Sequence, residues 1–321
     1  MTFQEFTPRM IEAVQEMVGE EYEVKIERIV KNNDQPLTGL TIRQVDVPEE
    51  MVPVQYLEPL FDQAEEGVPI RHLARLLVET DRTHKENGPQ VASGSLTSFE
   101  EAKDHIFCKL ISAERNEERL SSMPHRAWQD LAIVYYRDVE IGGGPGGEIR
   151  ITNELMELYG VSADELHEVA FKNTLEQHPF EIEPLANVLG AMIGEDMTVE
   201  ESPLYILTTS EKCNGAVCAI FPEAMKEASE KMGGNYYVIP SSIHELLLLK
   251  DDGEVKASQL EEMIRSINAS MVSESEFLSD RAYYYEAKTE RISLAAEYEA
   301  KNKQQDKIVS MAVASPAAPS M

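Results

Sequence analysis

Residues 235–249 read NYYVIPSSIHELLLL, and this stretch decides the fold class. Residues 236–239 are apolar and β-prone, which predicts a strand that ends at Pro240. Residues 242–249 continue this strand or form the next one, and their four consecutive leucines are typical of a buried strand. A buried sheet needs helices to cover it, so the stretch predicts a mixed α/β protein.

The residues before and after this stretch extend the pattern. Strands are predicted at 204–208 and 215–221, followed by a helix at 222–232 that begins with proline and ends before two glycines. This alternation predicts a β/α/β unit, and a further helix is expected at 257–270. We therefore expect a larger mixed sheet flanked by helices.

The N-terminal part has a different pattern. Apolar residues recur at helical spacing over residues 8–20, and Thr7 is a candidate cap for this helix. Residues 22–29 and 39–45 alternate between apolar and polar side chains around a turn-forming cluster, which predicts a β-hairpin. Two more helices are expected after the hairpin. The chain is therefore predicted to be α+β, or mixed α/β, with an N-terminal helix–β-hairpin–helix region.

Composition suggests three regions along the chain. Residues 86–98 are rich in Gly, Ser, Asn and Pro, which is typical of a linker. We expect the helix/hairpin/helix region at 1–90 and a mixed α/β core at 91–290. Residues 291–321 change from an acidic segment to an Ala- and Pro-rich end, which predicts a disordered tail.

The charge of the chain limits its partners. The 321 residues include 58 Asp and Glu against 29 Lys and Arg, and this acidic excess is spread along the whole chain. The formal net charge of −29 opposes nucleic-acid phosphates and anionic lipids, so we expect neither direct nucleic-acid binding nor membrane association. A basic protein partner fits this charge. Three cysteines, no signal-peptide pattern and no long apolar segment predict a cytoplasmic protein.

The segment Ser241–Glu245 is the first candidate site. It contains two hydroxyls, an imidazole and a carboxylate, and nucleophilic catalysis needs an activated hydroxyl, a base and an orienting group. The candidate catalytic residues are Ser242, His244 and Glu245. On a strand, Ser242 and His244 would share one face and Glu245 would lie on the other. The alternative is a serine loop with a half-buried histidine in a structural role.

A second candidate is a polar cluster that contains Glu114, Asn116 and Asp130. These residues lie near the ends of predicted strands, where polar side chains often form sites in α/β proteins. Polar residues in such positions also cap helices and form structural ion pairs. A structural role is therefore the alternative for this cluster too.

Three further motifs lack residues that their chemistry requires. The glycine-rich stretch 142–147 is followed by Glu148 and a predicted strand, where a phosphate-binding loop needs Lys and a helix. Cys213 and Cys218 supply only two of the ligands of a tetrahedral zinc site. His244-Glu245 has no second histidine at the spacing of a zinc protease. We therefore expect no cofactor and no metal.

Several stretches, taken together, resemble a known family. They are Lys31-Asn32-Asn33, Gly39–Arg43, Glu114–Asn116, Asp130–Tyr135, Ile151–Asn153, Asn173-Thr174, Tyr205–Thr208, Pro240–Glu245 and Leu278–Asp280. The combination is similar to a family of uncharacterised bacterial proteins, a domain of unknown function found in Firmicutes, often gut anaerobes, and frequently near mobile elements. The resemblance implies a bacterial, cytoplasmic protein, and it brings no assigned activity.

These observations lead to three hypotheses about function. The leading one is a non-enzymatic interaction or regulatory accessory protein with a protein partner, because the surface is acidic and no complete catalytic motif was found. The second is a hydrolase-like enzyme that uses the segment Ser241–Glu245. The third is an acidic DNA-mimic inhibitor, which needs carboxylates spaced like phosphates along one face. Whether the protein is an enzyme stays open at this point.

Overall fold

Helices and antiparallel sheets alternate along the chain, which confirms the expected α+β class. The computed structural model describes residues 1–45, 52–87, 97–139, 147–194 and 202–314. The chain divides into two compact units. Unit 1 contains Met1–Ile106, Glu117–Met123 and Tyr136–Ser162, and unit 2 contains Phe107–Asn116, Pro124–Tyr135 and the residues from Ala163 onward.

The bounds of the elements follow in chain order. The helices are α1 (Phe3–Val18), α2 (Glu58–Glu65), α3 (Ile70–Asn87), α4 (Phe99–Ala102), α5 (Glu117–Leu120), α6 (Asn153–Tyr159), α7 (Ala163–Gln177), α8 (Leu185–Ile193), α9 (Pro222–Met232), α10 (Ala257–Met271) and α11 (Ala295–Ala314). The strands are β1 (Tyr22–Val30), β2 (Pro36–Gln44), β3 (Gln55–Tyr56), β4 (Ile106–Ser112), β5 (His125–Trp128), β6 (Leu131–Val139), β7 (Gly147–Arg150), β8 (Phe180–Pro184), β9 (Leu204–Thr209), β10 (Tyr236–Pro240), β11 (Leu246–Lys250), β12 (Tyr283–Glu286) and β13 (Arg291–Leu294). Among these, no helix is long and apolar enough to cross a membrane.

Unit 1 begins with the helix and hairpin that the sequence predicted. α1 starts earlier than the expected 8–20, because the Thr2 hydroxyl accepts a hydrogen bond from Glu5 N–H while Glu5 Oε2 accepts one from Thr2 N–H. The prediction that Thr7 caps this helix was wrong. Thr7 lies inside α1, where its hydroxyl donates to Phe3 O at 3.0 Å. β1 and β2 form the antiparallel hairpin, and β3 pairs with β2.

The core of unit 1 lies between the hairpin and its helices. Apolar side chains of α1, α3 and β2 share one cluster, and its fully buried members include Phe6, Met10, Leu40 and Leu73. Alternation along β2 directs Leu40 and Ile42 to this side of the hairpin. The apolar faces that follow from a period of 2 in the strands and 3.6 in the helices thus meet in one shared core.

Unit 2 is organised by a six-stranded sheet with the order β13-β12-β10-β11-β9-β8. Every described pair in this sheet is antiparallel. β9 and β10 run in the same direction and are connected through α9, but β11 lies between them and pairs with both. The predicted β/α/β unit is therefore present in a split form, with the antiparallel β11 inserted between its two strands.

The strand expected at 215–221 was wrong. Residues Gly215–Ile220 form a 3₁₀ helix that leads directly into α9. Gly215 and the next four residues are all buried, so this segment has no polar face. A short, wholly apolar run has no periodicity that could separate a strand from a buried helical turn, which is why the sequence was misinterpreted here.

The C-terminal segment also differs from the expectation of disorder at 291–321. Residues 291–314 form β13 and α11. α11 is attached to unit 2 because the rings of Tyr284 and Tyr298 stack with centroids 3.9 Å apart, and Glu299 Oε1 accepts from Ala257 N–H. Residues 315–321 and most of the expected 86–98 linker lie outside the described residues.

We expect the substitution Tyr298→Ala to lower the free energy of unfolding by about 1–3 kcal/mol, because it removes a stacked aromatic contact and leaves a void beside Tyr284. Tyr298→Phe retains the ring and should change stability by less than about 1 kcal/mol. Urea denaturation of the full chain measures both. An alanine variant as stable as the wild type would show that α11 does not depend on this contact.

Candidate functional site

The first candidate segment, Ser241–Glu245, is the loop of an antiparallel hairpin. β10 ends at Pro240, β11 begins at Leu246, and these two residues pair with each other. Within the loop, Ser241 Oγ donates to Glu245 Oε1 at 3.3 Å and Ser242 N–H donates to Glu245 O at 3.3 Å. His244 N–H donates to Ser242 Oγ at 3.0 Å. These side chains therefore hydrogen-bond within the loop and stabilise its conformation.

The imidazole of His244 contacts two other loops. Asn214 N–H donates to Nδ1 at 3.2 Å, and Nε2 lies 3.8 Å from Glu276 Oε1. Because Nδ1 accepts from a backbone amide, the neutral ring carries its proton on Nε2. The acidic neighbour of the ring is thus Glu276, which the sequence analysis missed, and not the adjacent Glu245.

This arrangement bears directly on the hydrolase hypothesis. A histidine base needs a ring nitrogen with an available lone pair within reach of the serine hydroxyl. Here Nδ1 accepts from Asn214, and Nε2 carries the proton of the neutral ring. The Ser242 hydroxyl meanwhile accepts from the backbone N–H of His244. Proton transfer from Ser242 to His244 would require the ring to leave Asn214.

The position of Asn214 depends on Gly215. A Cβ added at Gly215 would collide with Thr208 Oγ1 and His244 O, and it would lie 2.8 Å from Thr208 Cα. The loops meet closely because the Thr208 hydroxyl donates to His244 O at 2.8 Å and Ala216 N–H donates to Ile243 O at 3.2 Å. Only glycine permits this approach, so Gly215 sets the distance between the imidazole and its backbone donor.

The second candidate cluster is organised by Asp130. Its Oδ2 accepts from Ser279 Oγ at 2.6 Å, and its Oδ1 accepts from Tyr283 OH at 2.7 Å. Burial, and then the Asp130 charge, raises the pKa of Tyr283 well above its ordinary value, so this phenol stays protonated and donates. The ring of Trp128 packs against Tyr283 with centroids 5.3 Å apart. Hydrogen bonds of this kind to a carboxylate are stronger than those between neutral groups.

The other two members of the predicted cluster occupy different positions in the loop after β4. Asn116 is fully buried, and its Nδ2 donates to Ser112 O at 2.9 Å, which stabilises the turn. Glu114 is exposed. Ala113 N–H donates to Asp130 O at 3.3 Å, so the backbone of this loop contacts Asp130. The structure thus brings this loop to Asp130, while the carboxylate of Glu114 is on the surface.

One stretch of chain contacts both candidate sites. We call residues 273–281, between α10 and β12, the 273–281 segment. Glu276 O accepts from Ile243 N–H at 2.9 Å, and the Glu276 side chain lies beside His244. At its other end, Ser279 donates to Asp130. The two clusters that the sequence suggested separately are therefore connected through this segment.

The remaining motifs do not provide reactive groups. Cys213 is exposed and Cys218 is buried, and burial raises the pKa of Cys218 to about 12, the reverse of an activated thiol. Within the described ranges, no group of three His, Cys, Asp or Glu side chains could hold a metal ion. Residues 142–146 of the glycine-rich stretch lie outside the described residues, and Gly147 begins β7.

α10 has an apolar surface that was not predicted from the sequence. Met263, Ile267 and Met271 are 48%, 45% and 81% exposed. Each is four residues from the next, so they form one row along the helix, which we call the α10 stripe. Their spacing is visible in the sequence, where residues 257–270 were predicted only to be a helix. The buried face of α10 instead contains Leu260 and Ile264.

We expect Gly215→Ala to lower the free energy of unfolding by about 1–3 kcal/mol, because the added methyl group overpacks the contact with Thr208 and His244. Chemical denaturation measures the change. As a control, Ser210→Ala at an exposed position before this loop should stay within about 0.5 kcal/mol of the wild type. If both variants were equally stable, the two loops would not depend on their close approach.

Tyr283→Phe tests the Asp130 cluster through the pH dependence of stability. The pKa of Tyr283 is raised in the folded protein, so above pH 10.0 the unfolded chain releases a proton that the folded state retains. Below that pH, the titration of Tyr283 should therefore not change the free energy of unfolding. Above it, the free energy of unfolding should fall by up to about 1.4 kcal/mol per pH unit.

The phenylalanine variant should show a shallower decline than the wild type in urea titrations at alkaline pH. Other buried tyrosines contribute to the decline in both proteins, so the difference between the two slopes is the quantity to measure. Parallel slopes would contradict a protonated Tyr283 bound to Asp130.

Comparisons with known proteins support one part of the resemblance noted from the motifs, namely a family without an assigned function. No curated protein and no solved structure shows significant similarity to the chain. A family described as a family of unknown function, DUF5688, matches residues 3–287. This match covers most of the chain and includes the hairpin loop with His244, the Asp130 cluster and the α10 stripe. The chain belongs to the DUF5688 family of unknown function.

Proposed function

We propose that this protein is a non-enzymatic interaction protein, and that the α10 stripe binds a basic amphipathic helix of a protein partner. The observation that carries the proposal is the exposure of Met263, Ile267 and Met271 in one row. The proposal includes the bacterial, cytoplasmic setting and the accessory or regulatory role that the family resemblance implies.

Exposure of the stripe to water is unfavourable. Full burial of a Met or Ile side chain contributes about 1.5–3 kcal/mol relative to leaving it exposed. Single exposed apolar residues are ordinary on protein surfaces, whereas a continuous apolar strip is typical of an interaction site. Methionine side chains are flexible and polarizable, so they adapt to the shape of a partner. These properties support a protein-binding role for α10.

The charge around the stripe indicates the chemistry of the partner. The row that flanks it consists of Glu262, Ser266 and Ser270, which are all exposed and include no basic residue. The whole chain has a formal net charge of −29, which attracts a basic molecule. An amphipathic helix with an apolar face and Lys or Arg on its flanks complements both the stripe and the charge.

The other two hypotheses receive less support from the described residues. A DNA mimic needs a surface of regularly spaced carboxylates, whereas the stripe is apolar. A Ser242–His244 hydrolase needs a ring nitrogen that can accept the serine proton, whereas Nδ1 accepts from Asn214. The apolar stripe is a positive feature that only the interaction hypothesis uses.

We expect a variant with Met263→Ser, Ile267→Ser and Met271→Ser to bind a designed Lys/Leu amphipathic helical peptide at least tenfold more weakly than the wild type. The reason is the loss of apolar area from the stripe, and a tenfold change corresponds to about 1.4 kcal/mol. Fluorescence anisotropy of the labelled peptide measures the affinity. Raising the salt concentration should weaken wild-type binding, because part of the attraction is electrostatic.

Leu158→Ser is a matched control, because Leu158 is 63% exposed and lies in unit 1. It should bind the peptide as the wild type does. A peptide with Glu in place of Lys should bind more weakly than the basic one. Equal affinities of the wild-type and triple-variant proteins would rule out the stripe as the binding surface.

A further inference from the structure

A small cavity lies beside α10, away from the stripe. Its volume is about 100 Å³, and it lies between α10, the 273–281 segment and the loop after β4. The α10 residues that line it include Arg265 and Ala269, which a helical repeat of 3.6 residues places on the opposite flank from Met263 and Ile267. The cavity and the stripe are therefore separate surfaces, and the inference below does not rest on the proposed partner.

The cavity is lined by two residues of each charge. Arg115 and Arg265 are the cations, and Glu274 and Asp280 are the anions. Arg115 Nη1 lies 3.0 Å from Glu274 Oε2, and its guanidinium lies over the Phe277 ring, 3.5 Å from the centroid. These two contacts fix the plane of the Arg115 guanidinium along the wall of the cavity.

Two of the charged groups retain hydrogen-bonding capacity. Asp280 Oδ1 accepts from Asn268 Nδ2 at 2.8 Å, and among the described residues no donor is bonded to Asp280 Oδ2. Arg265 has a single ion pair in the described part of the chain, a long one of 4.0 Å to Glu261 Oε2. A guanidinium has five N–H donors, so most of those of Arg265 are available. A residue with an available acceptor and a residue with available donors thus line the same small space.

We propose that this cavity binds a small α-amino acid in its zwitterionic form. The carboxylate pairs with Arg265, and the ammonium group pairs with Asp280. A free anion would enter against the net charge of −29, and a simple cation would meet two guanidinium groups. A zwitterion has no net charge, and it presents one group to each of the two residues with available capacity.

The volume of the cavity restricts the side chain of this ligand. A cavity of about 100 Å³ accommodates several water molecules, and therefore a ligand of only a few heavy atoms. Glycine, alanine and serine are the smallest α-amino acids. Phe277, Ala269 and Val272 supply the apolar lining against which a small Cβ group would pack.

Isothermal titration calorimetry of the full chain with glycine, L-alanine and L-serine tests the proposal. We expect saturable binding of at least one of them with a dissociation constant at or below about 1 mM. Acetate lacks the ammonium group and methylammonium lacks the carboxylate, so each should bind at least tenfold more weakly. No binding by any of the three amino acids, or binding of acetate as tight as that of alanine, would overturn the proposal.

Two variants assign the binding to this cavity. Arg265→Gln and Asp280→Asn should each weaken amino-acid binding at least tenfold. Arg265 is half exposed, and the new amide oxygen at position 280 can still accept from Asn268, so both variants should fold, as circular dichroism checks. Arg291→Gln, at an exposed position in β13, is the matched control and should bind as the wild type does. Unchanged affinity in both cavity variants would overturn the assignment.

Discussion

The loops of unit 2 depend on the hydrogen bonds that the Asp130 carboxylate accepts. It accepts one hydrogen bond from Ser279 in the 273–281 segment and one from Tyr283 in β12. With this segment held in place, Glu276 lies beside His244 and Glu274 pairs with Arg115. Loss of the carboxylate would leave two partly buried hydroxyls without an acceptor. This would destabilise the fold more than the loss of a hydrogen bond at the surface, where water can replace the missing partner. One side chain therefore positions both the neighbour of the histidine and one wall of the cavity.

Much of the fold could be predicted from periodicity, and the predictions failed where the sequence pattern carried no local information or was read from the wrong residue. The sequence of the β1–β2 hairpin alternates between apolar and polar residues, and Leu40 and Ile42 of β2 lie in the core of unit 1. Gly215–Ile220 was misassigned because all of its side chains are apolar and the first five residues are buried, so neither period is visible. β11 lies between β9 and β10 because it pairs with both strands, and β9 is distant in the chain. A local sequence pattern does not show which distant strands pair. The capping box at Thr2 was visible in the sequence, but the proline at position 8 was taken as the helix start.

The candidate site shows a similar division between local and distant information. The sequence identified Ser242, His244 and Glu245 because they are adjacent, and adjacency says nothing about which atoms meet. The contacts of the imidazole come from Asn214 and Glu276, each about thirty residues away along the chain. One of these is a backbone N–H, which every residue except proline has, so residue type could not reveal it. Asp130 was predicted as a member of a polar cluster, but its hydrogen-bond partners Ser279 and Tyr283 lie in a distant part of the chain.

The position of Trp128 has a practical consequence. It is the one tryptophan of the chain, and its ring packs on Tyr283, the phenol that donates to Asp130. Indole emission changes with the polarity and mobility of its surroundings. The unlabelled protein therefore contains an intrinsic optical reporter at the point where the 273–281 segment is held. Motion of that segment can be followed by stopped-flow fluorescence, with no dye and no added tryptophan.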